Sequence, residues 1–501
     1  MGDALRELRE IIADVAALRA ADAVLGWDQE TYMPAGGAAA RARHRAALAR
    51  MAHERFTAPR VGELLDALRD REGNAPDLED LDAQLVRRTR ILYERARRLP
   101  PNLVQELAHA SALAVDAWRD ARQAADFRRL APHLERLVAL TIEKAEHLGY
   151  QDDIYDALLD EYEPGMTTAE VEQLFAGLKA RLVPLVQAVA GAPQVDDAFL
   201  RQPFDPQQQW AFGMDVLRAI GFDLVRGRQD QSAHPFTTSF SQSDVRITTR
   251  LRADDWASGF FATLHEAGHG LHAQGIPPAL DGTPLAWETS LGVSESQSRL
   301  WENVVGRSRG FWEFWLPQLA ERFPQQLAGV DLDRFYRAIN RVEPSFIRVE
   351  ADELTYNLHI FVRFELERAL VARRLEVRDL PAAWNAKMEE YLGIVPGNDA
   401  EGVLQDIHWS MGAWGYFPTY TLGNVLSVQY FAQAVREHPE IPAEIRQGRF
   451  DTLRVWTQER IHRWGAMLNA AELTRHITGG PLDSGPYVQY LEEKYREIYR
   501  L

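Results

Sequence analysis

Apolar residues recur at three- and four-residue spacing through most of this 501-residue chain, a period that commits it to a largely helical body. Residues 3–24 carry Leu, Ile, Val and Ala at that spacing among Arg, Glu and Asp. WDQETYMP at 27–34 breaks the pattern, and Pro34, Gly36 and Gly37 close the connection. Further helical stretches are expected over 38–55, 59–71, 77–97 and 101–148, the last stopped by EHLG at 146–149. EYEPGMTTAE at 161–170 reads as a punctuated loop, and Thr167 with Glu170 has the spacing of a capping box opening a helix over 169–190. The turn-rich segment 191–209 separates a mainly helical part, 1–210, from the remainder, 211–501, either as two parts or as one continuous fold.

Strand character is concentrated at 234–250, HPFTTSFSQSDVRITTR, where Val245, Ile247 and Thr249 alternate with Arg246 and Thr248. Two short strands or one bent ribbon would fit. Helical patterns resume at 254–273, 293–307, 311–323, 331–339, 351–371, 381–390, 432–437 and 454–470. The repeated strand–helix alternation of a doubly wound parallel sheet is missing. The expectation is a mostly α fold with a small β-sheet beside one helix.

Composition narrows the function classes. A net charge of −17 argues against a general nucleic-acid binder, which would carry a basic footprint. No cysteine is present, so disulfides, thiolate catalysis and Cys-ligated metals are excluded. The N-terminal stretch is acidic from Asp3 and does not read as a signal peptide, and no run of 18 apolar residues suggests a membrane span. The expected setting is cytoplasmic, with no membrane and no nucleic-acid partner. Lys144, Lys179, Lys387 and Lys494 are the only lysines, leaving 52 arginines among 56 basic residues. That skew suits a hot habitat and thermostability, although genomic base composition accounts for it equally well.

The strongest local signal is His265-Glu266-Ala267-Gly268-His269. On a helix capped by Asp254 or Asp255, the two histidines lie one turn apart on one face and can share a zinc ion. Glu266 projects about 100° away from His265, yet close enough to reach the attacking water. The bland alternative is two surface histidines satisfied by carboxylates. A catalytic zinc needs a third ligand. His272 continues the same row and does not readily close a tetrahedron. Glu295 is the better choice, with Glu288 and Glu302 as competitors. Glu302, seven residues further along the same face, suits an outer position, accepting a hydrogen bond from a ligand histidine.

Several further motifs lie in order: WDQETYMP at 27–34, HPF at 234–236, DVRITT at 244–249, ESQ at 295–297, IRVEADE at 347–353 and GVLQDIHW at 402–409. With HEAGH they make the chain resemble the M32 family of metallocarboxypeptidases. The resemblance implies a gluzincin-like, saddle-shaped helical metallopeptidase with a deep cleft, homodimeric, removing single C-terminal residues with broad specificity. It implies His265, His269 and Glu295 as ligands of one divalent ion, zinc first and cobalt as an alternative, and Glu266 as the catalytic carboxylate. Ser294 stands where the family often has histidine.

Oxyanion stabilisation needs a donor; Tyr420 in YFPTY is one candidate, with His234 and His408 as alternatives. A free terminal carboxylate suits the two-pronged donor fork of arginine. Arg348 is the first choice and Arg246 the second, unless these pair with Asp244, Glu350, Asp352 or Glu353. DVRITT, if it forms an exposed strand beside the zinc helix, would hold the substrate main chain. Other peptidases with the same metal motif, dipeptidyl carboxypeptidases or endopeptidases, and a non-catalytic helical interaction protein are the competing readings.

Overall fold

The computed structural model describes residues 2–72, 77–288 and 290–501. It is a helical body holding one small sheet, as the periodicity predicts. The first helix, Gly2–Thr31, runs through the expected break at Trp27 and ends only before Pro34. The long pattern at 101–148 is two helices, Pro101–Ala124 and Ala131–Leu148. They are separated where Ala125 turns left-handed (φ 49°) and Asp126 caps the next turn.

The largest helix unread in the sequence is Pro418–Glu437, expected only over its last residues. From Thr419 to Tyr430 almost every side chain is buried, including Thr421, Asn424, Ser427 and Gln429. A helix covered on all sides needs no polar face and so shows no amphipathic stripe. Pro206–Ala219, Ala470–Thr478 and Gly485–Tyr499 are further helices that the pattern did not predict, and the one expected at 454–470 is Asp451–Arg460.

The sheet has three strands: β1 (Gly227–Gln231), β2 (Thr237–Ser241) and β3 (Asp244–Thr249), in the order β1-β3-β2. β3 pairs parallel with β1 and antiparallel with β2, Thr238 opposite Arg246. DVRITT is therefore the central strand with both edges occupied, and cannot hold a substrate main chain by strand pairing. Its partner β1, sequence GRQDQ, lacks the β-branched and aromatic residues that mark a strand, which is why it was not anticipated. The two edge strands are β1 and β2, and β2 is the one that lines the cavity described below. Val245 and Ile247 are fully buried, and β3 lies against the helix Trp256–Gly275. Gly270 on that helix makes the approach possible: a β-carbon there would stand 2.7 Å from the Phe222 ring and 3.2 Å from Ile247.

Buried apolar residues from Leu8 to Tyr499 form one connected core. Its densest region is aromatic. The Trp256 ring stacks on Phe260 with centroids 4.9 Å apart and meets Trp312 edge-on at 5.7 Å, while Trp312 lies 4.6 Å from Phe335. Thr168–Gly191 is the one helix, among the described residues, long and apolar enough to cross a membrane. In the fold its Phe175 packs on Phe361 and Phe364, and Lys179 pairs with Glu365 at 2.7 Å, so its apolar stripe serves the protein core.

Because Trp256 fills the centre of this cluster, Trp256→Ala should destabilise the fold by about 3–5 kcal/mol. A lowered urea midpoint checks this; an unchanged midpoint contradicts the packing argument.

Candidate metal centre and active site

Asp255 caps the helix Trp256–Gly275 by accepting from the Ser258 amide, and Glu266, Ala267 and Gly268 are buried within it. The second functional helix, Leu291–Arg299, continues into a π-helical turn, Leu300–Val305. These two helices cross at Gly268, where a β-carbon would stand 2.4 Å from the Gln297 carbonyl oxygen and 2.5 Å from the Ser298 α-carbon. On the other side of Leu291–Arg299, Gly423 of the buried helix Pro418–Glu437 leaves the same kind of gap: a β-carbon there would meet Glu295 Cγ at 2.5 Å. Backbone contact on both sides brings Glu295 over the two histidines.

The ligand atoms of His265, His269 and Glu295 all lie within 4.8 Å of one another. Glu295 Oε2 is 3.6 Å from His265 Nε2 and 3.4 Å from His269 Nε2. Each imidazole is gripped from behind. His265 Nδ1 lies 2.9 Å from Glu302 Oε2. His269 Nδ1 lies 3.0 Å from Ser294 Oγ, which in turn donates to Glu288 Oε1 at 2.6 Å. With Nδ1–H held from behind, Nε2 of each ring faces the space beside Glu295 and, once it carries no proton, offers its lone pair there. Two imidazole nitrogens and one carboxylate oxygen with supported second partners are the donor set of a divalent metal site, and the residues fit such an ion.

Of the competitors for third ligand, Glu302 and Glu288 are thus both turned toward histidine orientation. The Glu288–Ser294 relay was not read from the sequence, where Ser294 registered only as a departure from the family pattern. His272 is not in the ligand cluster; its buried ring faces His462 at 4.9 Å, and burial pushes it down to about 4.

Charges are balanced around the cluster. Arg299 Nε donates to Glu295 Oε1 at 2.7 Å and its Nη1 to Glu302 Oε2 at 3.1 Å, while Arg307 lies 3.6 Å from Glu302 Oε1. Burial works against ionising Glu295, but Arg299 and both histidines hold its carboxyl well below the usual range. Glu302 is likewise held at about 2 against burial, by Arg299 and His265. Burial alone would push the His265 imidazole down; the charge of Glu295 and the bond to Glu302 outweigh it and raise it to about 9.

Glu266 is buried next to the cluster, where Thr237 Oγ1 at the start of β2 meets its Oε2 at 2.6 Å. Tyr420 and His408 lie together, Oη to Nε2 3.3 Å, with the His408 ring 4.5 Å from Phe417. Burial drives the Tyr420 phenol well above its ordinary value and pushes His408 down to about 4. Arg348 stands over the Tyr420 ring at 4.9 Å. It is not paired with its sequence neighbours: Asp406 of QDIHW takes its Nε (3.1 Å) and Nη2 (2.7 Å), and Tyr356 accepts from Nη1 at 2.9 Å. Arg246 does pair with its neighbour Asp244 (2.9 and 3.0 Å), its guanidinium lying against Trp27 at 4.2 Å and Phe240 at 4.7 Å. His234 is exposed, in the connection between β1 and β2.

A cavity of about 700 Å³ opens beside the centre, walled by the whole of β2, by Ala13, Ala16 and Ala20 of the first helix, and by Trp287 and Glu288. The metal-binding atoms do not line it. It meets the centre through Thr237 and Glu288.

Residues 7–495 match the family model described as carboxypeptidase Taq (M32) metallopeptidase. The chain belongs to this family. It is 45% identical over 509 residues to the "Thermostable carboxypeptidase 1" of Thermus thermophilus, with 99% of each chain covered. It is 37% identical to the "Carboxypeptidase 1" of Bacillus subtilis, again with 99% of each covered. The crystal structure of an M32 carboxypeptidase from Deinococcus radiodurans R1 superposes with a TM-score of 0.96 at 43% identity, covering 100% of both chains. With the His-His-Glu cluster, this M32 membership makes the protein a metal-dependent carboxypeptidase acting on peptide C-termini.

His265 must lose a proton to bind a metal, so zinc affinity should fall as the pH drops from about 9 toward 6.5. Calorimetry at pH 7 in buffers of different ionisation enthalpy should register release of about one proton per ion bound. In the metal-free chain the raised value contributes stability that is fully present below pH 6.5 and lost as the pH rises through about 9. Proton-independent zinc binding across that range would contradict the assigned environment of His265.

Proposed function

We propose that this carboxypeptidase removes single amino acids from free C-termini with broad side-chain specificity, using one divalent ion held by His265, His269 and Glu295. The observation that carries the reading is the convergence of those three ligand atoms beside Glu266. Two imidazoles and a carboxylate favour zinc, and cobalt accepts the same donors. When bound, the ion supplies Lewis-acid polarisation of the scissile carbonyl and acidifies the attacking water.

The protein's own groups do the rest. Glu266 takes the proton of the attacking water and returns it to the departing amine. Thr237 occupies its Oε2, which leaves Oε1 to receive that proton. Tyr420, held protonated by burial, donates to the developing oxyanion, with His408 Nε2 supporting the phenol. His408, kept neutral, and the exposed His234 are the alternative donors.

Arg348 receives the terminal carboxylate. Asp406 and Tyr356 use three of its five N–H groups, which leaves one on each terminal nitrogen for the two carboxylate oxygens. Arg246 is the second candidate, its Nη1 free of hydrogen-bond partners among the described residues. The free edge of β2, which lines the cavity, takes the main-chain role first expected of DVRITT. Residues up to about 210 would form one side of the cleft, a division supported by the first helix walling that cavity. Homodimerisation and a cytoplasmic location belong to the same reading, supported by the family resemblance and the acidic composition.

Zinc-loaded protein incubated with an unblocked peptide should release one residue at a time from the C-terminus, followed by product mass. Amidating that terminus should weaken turnover. Glu266→Gln should lose activity by about 10²–10⁴-fold while retaining zinc, and Glu295→Ala should lose both. Pairwise loss of residues would identify a dipeptidyl carboxypeptidase instead, and equal activity in all three proteins would reject the assigned roles.

A further inference from the structure

Glu163 is a fully buried carboxylate that the proposed chemistry does not use. Among the described residues no Lys, Arg or His lies within ion-pair distance of it. Buried carboxylates without a counter-charge are costly, so the bonds Glu163 does make are informative. Both of its oxygens accept from the start of the helix that carries Glu295. Ser290 Oγ donates to Oε2 at 2.6 Å, and the Gly292 amide donates to Oε1. Next to it, the Tyr162 carbonyl accepts from the Leu291 amide at 3.0 Å, and Ser290 Oγ caps the Val293 amide at 3.0 Å. The first three amides of the Leu291–Arg299 helix are thus satisfied, two of them by the Tyr162–Glu163 segment.

The fit is close. A β-carbon at Gly292 would stand 2.8 Å from Glu163 Oε1 and 3.1 Å from Leu422 Cβ, so the glycine is what lets the carboxylate reach the helix. Two residues after Gly292 comes Ser294, which orients His269, and three after it comes Glu295. The same segment reaches the other side of the site, the Tyr162 ring meeting Tyr416 edge-on at 5.1 Å. Burial raises the Glu163 carboxyl to about 7, opposed by its two donors, and the helix N-terminus favours negative charge there.

We propose that Glu163 is a positioning residue of the metal centre, anchoring the first turn of the helix that delivers Ser294 and Glu295 to the two histidines. This rests on the reading of Glu295 as a metal ligand. It acts at a distance from the ion and touches neither substrate nor metal.

The test uses the full chain and zinc, with affinity read by competition against a chromophoric chelator well below each variant's melting temperature. Glu163→Ala should weaken zinc binding about 10–100-fold, the range expected on losing a group that orients ligands. It should lower kcat on an unblocked peptide while KM changes by less than about twofold. Glu163→Gln keeps an acceptor for the Gly292 amide and should recover most of both. Gly292→Ala, whose methyl would push the carboxylate away, should repeat the Glu163→Ala result. A folded Glu163→Ala with wild-type zinc affinity and kcat overturns the proposal.

Should Glu163→Ala fail to fold, Ser290→Ala removes one arm only, and unchanged zinc affinity in that variant overturns the proposal equally. Glu295→Ala run in parallel separates the two ideas. If it leaves zinc affinity intact, the ligand assignment has failed; if it abolishes binding while Glu163→Ala does not weaken it, the positioning role alone has failed.

Discussion

The metal centre depends on two places where helix backbones touch. Gly268 lets the HEAGH helix lie against Gln297 and Ser298, and Gly423 lets a buried helix lie against Glu295 from the other side. A methyl group at either position would overlap atoms that have nowhere to go, because the helix between them is held on both faces. Interior packing of this kind turns a sequence separation of 26 residues between His269 and Glu295 into a fixed distance of 3.4 Å. A looser crossing would still present two histidines, but without a carboxylate at ligand range.

Electrostatics then fix what packing has brought together. Glu295 and Glu302 would be costly to bury alone, and Arg299 serves both, with Arg307 adding to Glu302. A second balanced group surrounds Asp406, where Arg348 and Arg363 hold the carboxyl well below the usual range against burial. Both clusters place an arginine on the far side of a functional group: Arg299 behind Glu295, and Arg363 behind the Asp406 that binds Arg348. Such networks gain little net stability over an apolar core. What they supply is a single orientation for each group before substrate arrives.

How much of this was visible in the chain depends on whether the chemistry imposes a local spacing. HEAGH is legible because two side chains on one helix can face a common ion only at a spacing of three or four residues, and here it is four. Arg246 with Asp244 is legible too, since the pair is two residues apart along one strand. Arg348 with Asp406 is not: the partner lies 58 residues on, and only the fold brings it close. The helix Pro418–Glu437 escaped because burial on every face erases the period, and β1 because parallel pairing with β3 holds a polar strand that propensity would reject. DVRITT carries the alternation of a strand, but its place at the centre of the sheet is not encoded in it. Nothing in the sequence of one strand shows that a second will pair on its other side.

Ser294 gives the clearest case of chemistry that arises only in the folded chain. Serine is too short to reach far and too weak an acceptor to fix a histidine firmly on its own. Here it is made effective by Glu288, which accepts the hydrogen bond of its hydroxyl and so leaves its oxygen lone pairs facing His269. The consequence reaches beyond the ligand. Glu288 and its neighbour Trp287 line the cavity beside β2, and Arg19 of the first helix stacks over the Trp287 ring at 4.0 Å. An unbroken series of contacts therefore runs from the N-terminal helix through the cavity wall to the His269 imidazole. The carboxylate that orients Ser294, and through it His269, is thus part of the cavity wall.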